Sequence, residues 1–592
     1  MIKEEFVLYN KCRDIDIDAW SKELKVSPVI CKIMRNRGFN DVAAGKKFLG
    51  GTLNDCHSPR AMKDMDKAVD ILLKRIGEKA RLRVIGDYDV DGICSAFILS
   101  KGIRLLGGDV DVEIPHRIYD GYGLSENLIR RAYNDKVNLI ITCDNGIAGA
   151  NEIALAKELG MEVIVTDHHE VPFDMVDGRK LERLPLDAAA VVDPKQADCN
   201  YPFEGICGAV VVYKLMEALA ERTGDAALKG ALKEFIQFAA IATVCDIMEL
   251  KDENRIIVSE GIRRIENTEN LGLKALMSVK KVDPSNISGY TFGFIIGPCI
   301  NATGRLDTAM RALELLNSES YEEACELAVE LNTINEERKS LMNAGAERCF
   351  EYIEENHMEN DKVFVIYLPD VHESLAGIIA GKVKEKYFHP AFVLTKGEDG
   401  VKGSGRSIDG YDMYANMSAH KEFFTKFGGH KMAAGFSMKE EDIDAFRAAL
   451  NEDCSLSEES FVKKIKIDEN LPFSAAGINL ALELKKLEPC GTGNPKPLFG
   501  RQNVKFIQAD KMGREGQFLK FTVMDAEGSR RKLVYFGDRD AFEEYYTEKF
   551  GASALERLFA GRGGEKMTII YELGVNSYRN ELSEQLQLKA FK

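Results

Sequence analysis

"LRVIGDYDVDGICSAFILSKGIRLLGG", Leu82–Gly108, decides how the chain is built. It opens as a short apolar strand and, from Ile93, continues with the spacing of a buried helix. Between the two stand Asp87, Asp89 and Asp91 in alternation, closed by Gly92. A buried strand ending on three like charges has two explanations: the acids are solvated turn residues, or a cation sits among them. The alternation continues outward. "DVEIP" (111–115), "NLIITC" (138–143) and "MEVIVT" (161–166) read as strands, and "ENLIRRAYND" (126–135) and "ANEIALAKELG" (150–160) as helices. This pattern predicts βαβ units around a parallel sheet, an α/β fold whose strand ends hold the ligand edge.

With 592 residues the chain has length for about three or four domains. Residues 1–50 read as a helical segment without recognisable chemistry, 51–265 as the α/β domain and 266–355 as a helical connector. The run 320–355 has helical period and salt-bridging charges, and reads as one long helix or two. A second α/β region spans 356–455, with strands "KVFVIY" (362–367) and "AFVLT" (391–395), a helix "SLAGIIAGKVKEKY" (374–387) and a strand edge "VKGSGRS" (401–407). The polar stretch "NEDCSLSEES" (451–460) reads as a linker. In 456–592, "VKFIQ", "FLKFTVMD", "RKLVYFG", "MTIIYELG" and "LQLKAF" are five short strands, consistent with a small barrel of the oligonucleotide-binding kind.

Apolar residues at 45% and charged residues at 29% are ordinary for a soluble protein. No apolar run reaches membrane-span length, and the N-terminus lacks a signal peptide's apolar core, so the expected location is cytoplasmic. The 13 cysteines, without a C-x-x-C pair and with Cys94, Cys143 and Cys245 in apolar context, read as reduced core thiols. A net charge of −16 argues against non-specific coating of nucleic acid. Positive charge gathers weakly between Val401 and Lys431, where five Lys/Arg meet three Asp/Glu and His420 and His430 are added.

Three strands end in acids: Asp87 with Asp89 and Asp91, then Asp144, then Asp167 followed by His168 and His169. A fourth acid, Asp246, follows the apolar run "FAAIATVC". One such acid is commonplace, because Asp caps helices and starts turns. Four apolar segments each ending in a carboxylate, gathered on one sheet edge, would repel strongly without a cation. Carboxylates plus an imidazole and no thiolate favour Mn²⁺ or Mg²⁺ over structural zinc, and the number of candidates suggests two ions sharing a bridging carboxylate.

"GDYDVDG" (86–92), "TCDNGI" (142–147), "VTDHHE" (165–170) and "VCDIMEL" (244–250) resemble the four motifs of the DHH phosphoesterase superfamily. "INATGRLDTA" (300–309), "LNTINEERK" (331–339), "HESLAGIIAGKV" (372–383), "GSGRS" (403–407), "GGHKMAAGFS" (428–437) and "LEPCGTGNPKPLF" (487–499) are similar, in order, to motifs of the RecJ family of single-strand-specific 5′→3′ DNA exonucleases. Small departures, such as Val90 where alanine is common, remove no ligand. The resemblance implies a DHH parallel-sheet domain joined by a helical connector to a DHH-associated α/β domain, plus a C-terminal OB-like barrel.

By the same resemblance Asp87, Asp89, Asp144, His168 and Asp246 are the metal ligands, with Asp144 bridging two Mn²⁺ or Mg²⁺ ions. Asp167 orients the histidines, and His169 faces the scissile phosphate. Asp91 is a helix N-cap or supporting acid on one reading and a direct ligand on the other. Arg406 and Ser404 match the phosphate-binding pair of the DHH-associated domain, His430 joins them, and Arg305 and Arg117 match further phosphate contacts. Each arginine has the alternative of a surface ion pair, and His372 that of helix capping. Tyr119, Tyr122 and Phe518 are candidates for base stacking or for core packing. The implied activity is hydrolysis of single-stranded DNA to 5′-mononucleotides in DNA repair and recombination. The implied partners are single-stranded DNA, a helicase and a single-strand-binding protein, with no membrane, and a monomer is expected. Two alternatives stand beside this: a metal-free replisome scaffold that binds single strands, and a phosphodiesterase for short RNA oligonucleotides or cyclic dinucleotides.

Overall fold

The structure is a computed structural model that describes residues 3–9, 16–117, 120–121, 123–176, 179–397, 400–578 and 581–592. The first described elements are a strand, β1 (Glu4–Leu8), and three helices, α1 (Ile17–Leu24), α2 (Pro28–Asn36) and α3 (Val42–Gly50). Contacts divide the chain into two units, one of which is Gly50–Leu341 with Pro489–Asn494.

In that unit α4 (Met65–Gly77) leads into β2 (Arg81–Gly86), α5 (Val90–Leu105), β3 (Asp109–Glu113), α6 (Glu126–Asn134), β4 (Leu139–Cys143), α7 (Ala150–Glu158) and β5 (Glu162–Thr166). An exposed hairpin, β6 (Phe173–Val176) and β7 (Arg179–Glu182), precedes β8 (Ala190–Val192). The sheet order is β3-β2-β4-β5-β8, all parallel, as the alternation predicts. Successive side chains alternate across it. Leu82, Val84, Leu139 and Ile141 join one buried cluster, and Ile85, Ile140, Val163 and Val165 the other. The register aligns Gly86 with Cys143, Cys143 with Thr166 and Thr166 with Val192. The next residue on each strand is an acid, so Asp87, Asp144, Asp167 and Asp193 leave the same edge side by side.

Helices α8 (Gly208–Thr223), α9 (Ala226–Cys245), α10 (Asp252–Ile265) and α11 (Leu271–Val279) follow. The run "FAAIATVC" is the end of α9, so Asp246 reaches the edge from a helix C-terminus and not from a strand. Beyond α11 a rod of three joined pieces runs through α12 (Gly289–Thr291), a π-helical turn (Phe292–Ile296) and α13 (Gly297–Leu306). After α14 (Met310–Asn317), the charged run that reads as one helix or two is a single 35-residue helix, α15 (Tyr321–Glu355).

The second unit is Met1–Leu49, Met342–Glu488 and Pro495–Lys592. It carries β9 (Phe364–Tyr367), α16 (Ala376–Tyr387), β10 (Ala391–Gly397), β11 (Gly400–Arg406), α17 (Met413–Ala419), β12 (Phe424–His430), β13 (Ala433–Met438) and α18 (Ile443–Glu452). The sheet order is β12-β13-β11-β10-β9. β11, which the glycine-rich sequence suggests as an edge, is interior and bonded on both sides. Rings supply what the glycines lack. A Cβ on Gly403 would lie 2.2 Å from the Phe436 ring, and one on Gly405 2.7 Å from that of Phe392.

The last stretch holds β14 (Lys463–Ile467), β15 (Glu469–Asn470), α19 (Ile478–Leu484), β16 (Phe499–Met512), β17 (Phe518–Met524), β18 (Arg530–Tyr535), α20 (Arg539–Phe550), α21 (Ala552–Phe559), β19 (Lys566–Tyr578) and β20 (Glu581–Phe591). Strands β16-β17-β18-β20-β19 close through β16–β19 into the expected five-stranded barrel. The first 50 residues are not wholly helical. β1 pairs in parallel with β14, because Phe6 finds an apolar neighbourhood of Ile465, Ile467 and Ile570 that only the folded barrel offers. The helical part behind it packs Trp20, Ile30 and Phe48 into the barrel's own core.

Candidate metal centre and phosphate-binding groups

Three sets of potential ligand atoms lie within 4.8 Å of one another: Asp87, Asp89 and Asp144; Asp91, His168 and Asp246; and Asp144, His168 and His169. His168 Nε2 is 3.0 Å from Asp144 Oδ1, 3.5 Å from Asp91 Oδ2 and 3.7 Å from Asp246 Oδ2. The acids and histidines that the motifs single out are therefore gathered at one place.

Each is held by local structure. Asp89 is the N-cap of α5, accepting from Asp91 N at 2.9 Å and Gly92 N at 3.2 Å. Asp91 turns away from its own helix and accepts from Gly208 N and Ala209 N, both at 2.7 Å. Its carboxylate thus caps α8 and not its own helix, and its Oδ2 also faces His168 within a potential ligand set with Asp246. Asp144 stands at φ +60°, the left-handed region, directly after the last residue of β4. Asp167 accepts from His168 N (2.7 Å), Ile147 N (2.9 Å) and His169 Nδ1 (2.8 Å).

Two glycines make the cluster possible. A Cβ on Gly208 would lie 2.8 Å from Asp144 Cβ, and one on Gly92 2.3 Å from Asp87 O. Gly92→Ala is therefore expected to destabilise the protein by about 1–3 kcal/mol, read as a lower urea midpoint at unchanged m-value. An unshifted midpoint would show that the α5 start yields without strain.

The electrostatics suit a cation. Burial first, and then neighbouring carboxylates, push Asp87 and Asp144 well above the usual carboxylate range, and Asp246 up to about 8. Asp91 rises to about 6 for the same reasons. Asp87 Oδ1 and Asp246 Oδ2 are buried with no hydrogen-bond partner among the described residues. Burial, and then the charge of His169, lower His168 to about 3, so its imidazole is neutral and able to ligate. His169 behaves oppositely: burial works against its charge, but the Asp167 hydrogen bond raises it to about 9. Asp167 is held down to about 2, against burial, by that same bond and by the backbone donors. Burial pushes the nearby thiols Cys94, Cys143 and Cys207 far up, so they are not thiolates. Carboxylates, a neutral imidazole and unmet oxygen atoms fit a hard divalent ion such as Mn²⁺ or Mg²⁺.

Sequence reasoning misses Asp193. It is fully buried, and burial and the charge of Asp167 push it up to about 7. The pattern was there to find, since "AVV" before it is another apolar strand ending in an acid.

A cavity of about 300 Å³ adjoins the cluster, lined by Asp87, Asp89, Arg117, Asn301, Gly304 and Arg305. The Arg117 guanidinium lies 4.8 Å over the Tyr88 ring. Burial, and then the charges of Arg117 and Arg338, lower Arg305 to about 10. Cations and acids thus line the same cavity, a combination suited to a phosphodiester held beside a metal.

In the second unit, Arg406 Nη1 donates to Gly405 O at 2.8 Å and to Ser404 Oγ at 3.4 Å. A Cβ on Gly377, in the first turn of α16, would lie 2.7 Å from Ser404 Oγ and 2.9 Å from Arg406 Nη2, so this glycine leaves room beside the pair. His430 and Arg406 both register with Ala433, which places them level on flanking strands. His372 caps the turn Glu373–Leu375, with Nδ1 accepting from Ser374 N at 3.3 Å. Phe518 is half-buried, edge-on to Phe536 at 5.3 Å. Tyr119 and Tyr122 lie outside the described residues.

Comparison with known proteins agrees. Residues 81–243 match the DHH family, N-terminal domain, 360–456 the DHHA1 domain and 467–590 the RecJ OB domain. The single-stranded-DNA-specific exonuclease RecJ of Bacillus subtilis (strain 168) is 32% identical over 577 residues, 97% of this chain and 69% of that protein. The Escherichia coli (strain K12) protein of the same name is 31% identical over 581 residues, 95% of each. The crystal structure of RecJ in complex with Mn²⁺ from Thermus thermophilus superposes with a TM-score of 0.80 at 26% identity, covering 100% of this chain and 80% of that one. With three family domains in order and relatives matched over nearly its whole length, the chain belongs to the RecJ family.

Proposed function

We propose that the chain is a single-stranded-DNA-specific exonuclease, which hydrolyses phosphodiester bonds from the 5′ end and releases 5′-mononucleotides in DNA repair and recombination. The observation that carries this reading is the chain of three ligand sets linked through Asp144 and His168 in a chain of this family. The relatives are named for the activity, and the Thermus structure holds Mn²⁺.

Asp87, Asp89, Asp144, His168 and Asp246 would hold two Mn²⁺ or Mg²⁺ ions, and Asp144, which lies both beside Asp87 and Asp89 and 3.0 Å from His168, would be the carboxylate within reach of both. When bound, such ions make a water acidic enough to attack at neutral pH and offset phosphoryl charge. Asp91 and Asp167 keep the ligands in place through their backbone bonds. His169, raised to about 9 by its bond with Asp167, stays cationic at neutral pH and donates to a phosphate oxygen or passes a proton to the leaving oxygen. Arg117 and Arg305 bind phosphates of the strand, and Ser404, Arg406 and His430 hold the 5′ phosphate. The barrel guides the incoming strand. An enzyme confined to single strands depends on others to open a duplex, which is why a helicase and a single-strand-binding protein are the partners expected.

The test is to incubate 5′- and 3′-labelled single and double strands with Mn²⁺, Mg²⁺ or chelator. Loss of the 5′ label first, from single strands only and not in chelator, is expected. Degradation in chelator, or equal loss from duplex, would refute the reading. In the same assay Arg406→Ala should raise KM about tenfold for a 5′-phosphorylated strand and leave a 5′-hydroxyl strand unchanged, since a charge-assisted phosphate bond is lost. Equal KM values for both strands would remove Arg406 from the phosphate site.

A further inference from the structure

The motif "LEPCGTGNPKPLF" (487–499) has no part in the chemistry above. Pro489–Asn494 belongs with the metal-centre unit, while Glu488 and Pro495 on either side belong to the other. The segment is therefore a strap laid on the metal-centre unit. It closes on itself. Gly491 and Asn494 exchange backbone bonds of 2.9 and 3.1 Å, Gly493 between them stands at φ +71°, and Asn494 Nδ2 donates to Pro489 O at 2.7 Å.

The strap grips the loop that follows Asp246. Thr492 O accepts from Leu250 N at 2.8 Å, and Arg255 Nη1 donates to Pro489 O at 3.3 Å. A Cβ on Gly491 would lie 2.8 Å from Leu250 Cδ1, and one on Gly493 3.0 Å from Glu249 Cβ, so both glycines admit the close approach.

That loop needs holding. Helix α9 ends in a Schellman motif with Asp246 as its C-cap: Met248 N donates to Thr243 O at 3.1 Å, and Ile247 N to Val244 O at 3.2 Å. The residue after the cap stands at φ +60°, the left-handed region, where glycine is usual. Here it is Ile247, β-branched and 70% exposed, so neither backbone preference nor packing favours the turn. Asp246 depends on that turn. Its Oδ2 has no hydrogen-bond partner among the described residues, and its side chain is 28% exposed, against 5% for His168 and 4% for Asp144. Its place among the ligands is thus set by the backbone more than by packing, and that backbone is strained.

We propose that the strap Pro489–Asn494 is a positioning element of the metal centre, which keeps the strained end of α9 closed and so holds the Asp246 carboxylate where a divalent ion takes it. The inference rests on the reading of Asp246 as a metal ligand and adds Gly493 and Asn494 as positioning residues. A loosened strap lets Ile247 relax toward its ordinary conformation, which moves Asp246 out of its ligand set.

The experiment compares the full-length metal-free protein with Asn494→Ala, which opens the strap's own turn, and with Gly493→Ala, which strains it. Mn²⁺ affinity is measured by titration calorimetry, and the hold on the loop by hydrogen exchange of residues 246–251. Both variants should bind Mn²⁺ about tenfold more weakly, with faster exchange in the loop. Adding Ile247→Gly to Asn494→Ala should recover most of the loss, because glycine closes the Schellman turn without help. In an Asp246→Asn background, where Mn²⁺ already binds more weakly, Asn494→Ala should weaken binding no further. Parental affinity in both strap variants overturns the proposal, whether or not their melting temperatures in chelator fall, and so does a further loss in the Asp246→Asn background. Parental affinity in Asp246→Asn alone sinks the ligand reading itself, and the proposal with it.

Discussion

Asp144→Asn should lower exonuclease turnover by about three orders of magnitude or more, with the fold unchanged. Asn is the right replacement because Asp144 sits at φ +60°, a conformation that Asn tolerates and most side chains do not. The change keeps size and backbone and removes one negative charge. That charge belongs to two ligand sets at once, so its loss weakens the hold on both ions together. Losing several kcal/mol of transition-state stabilisation corresponds to such a factor. A second consequence separates a site defect from a folding defect. Burial and the carboxylates around it push the Asp144 carboxyl well up, so the folded chain resists its ionisation. A neutral amide relieves that, and the metal-free variant should melt at or above the parental temperature at pH 8. Turnover within tenfold of the parent would remove Asp144 from the site. A collapsed melting temperature would reassign it to the fold.

Mn²⁺ should raise the melting temperature by about 5 °C or more at pH 8.5, and by clearly less at pH 6.5. Two groups set the sign. Asp246 is raised to about 8 in the folded protein, against about 4 in an unfolded chain. His169 is raised to about 9, against about 6.5. Between pH 6.5 and 9 the folded state therefore binds more protons than the unfolded one, and the metal-free protein loses stability as pH rises. Two groups act the other way. Asp167, lowered to about 2, adds stability as pH rises from acid and has finished by pH 6.5, while His168, lowered to about 3, goes on adding until about pH 7.5 but less than Asp246 and His169 together remove. Bound metal replaces the proton on Asp246, so Mn²⁺ should flatten the alkaline decline, and its affinity should rise with pH. Differential scanning fluorimetry across this range, with Mn²⁺ or chelator, measures both effects. A metal shift independent of pH would mean that the ion is held by groups other than this cluster.

Much of this site is legible in the sequence because a parallel sheet converts a one-dimensional pattern into a place. A strand followed at once by an acid, repeated, must put its acids on one edge. Asp87, Asp144 and Asp167 can be placed that way, and so could Asp193. Asp246 cannot, because a helix C-terminus brings it to the edge and no period in the sequence says where that helix ends up. Asp91 is ambiguous for a related reason. Its partners, the amides of Gly208 and Ala209, lie more than a hundred residues away, and only folding makes it their cap. β1 and β11 show the same limit in strands. One finds its partner at β14, and the other, weak by composition, is held inside a sheet by the rings of Phe392 and Phe436.

The sequence by itself determined the α/β character of the first unit, the barrel at the far end and the identity of the acids and histidines, since hydrophobic period and strand-end chemistry are local properties. Tertiary structure alone decided how close those groups come and what that closeness does. Burial leaves His168 neutral and lifts the carboxylates, while the Asp167 hydrogen bond keeps His169 charged against burial, and together these make a place for cations. Folding likewise laid the strap Pro489–Asn494 beside the loop that follows Asp246. Distances between residues far apart in the chain set charge and position, and a linear pattern does not encode them.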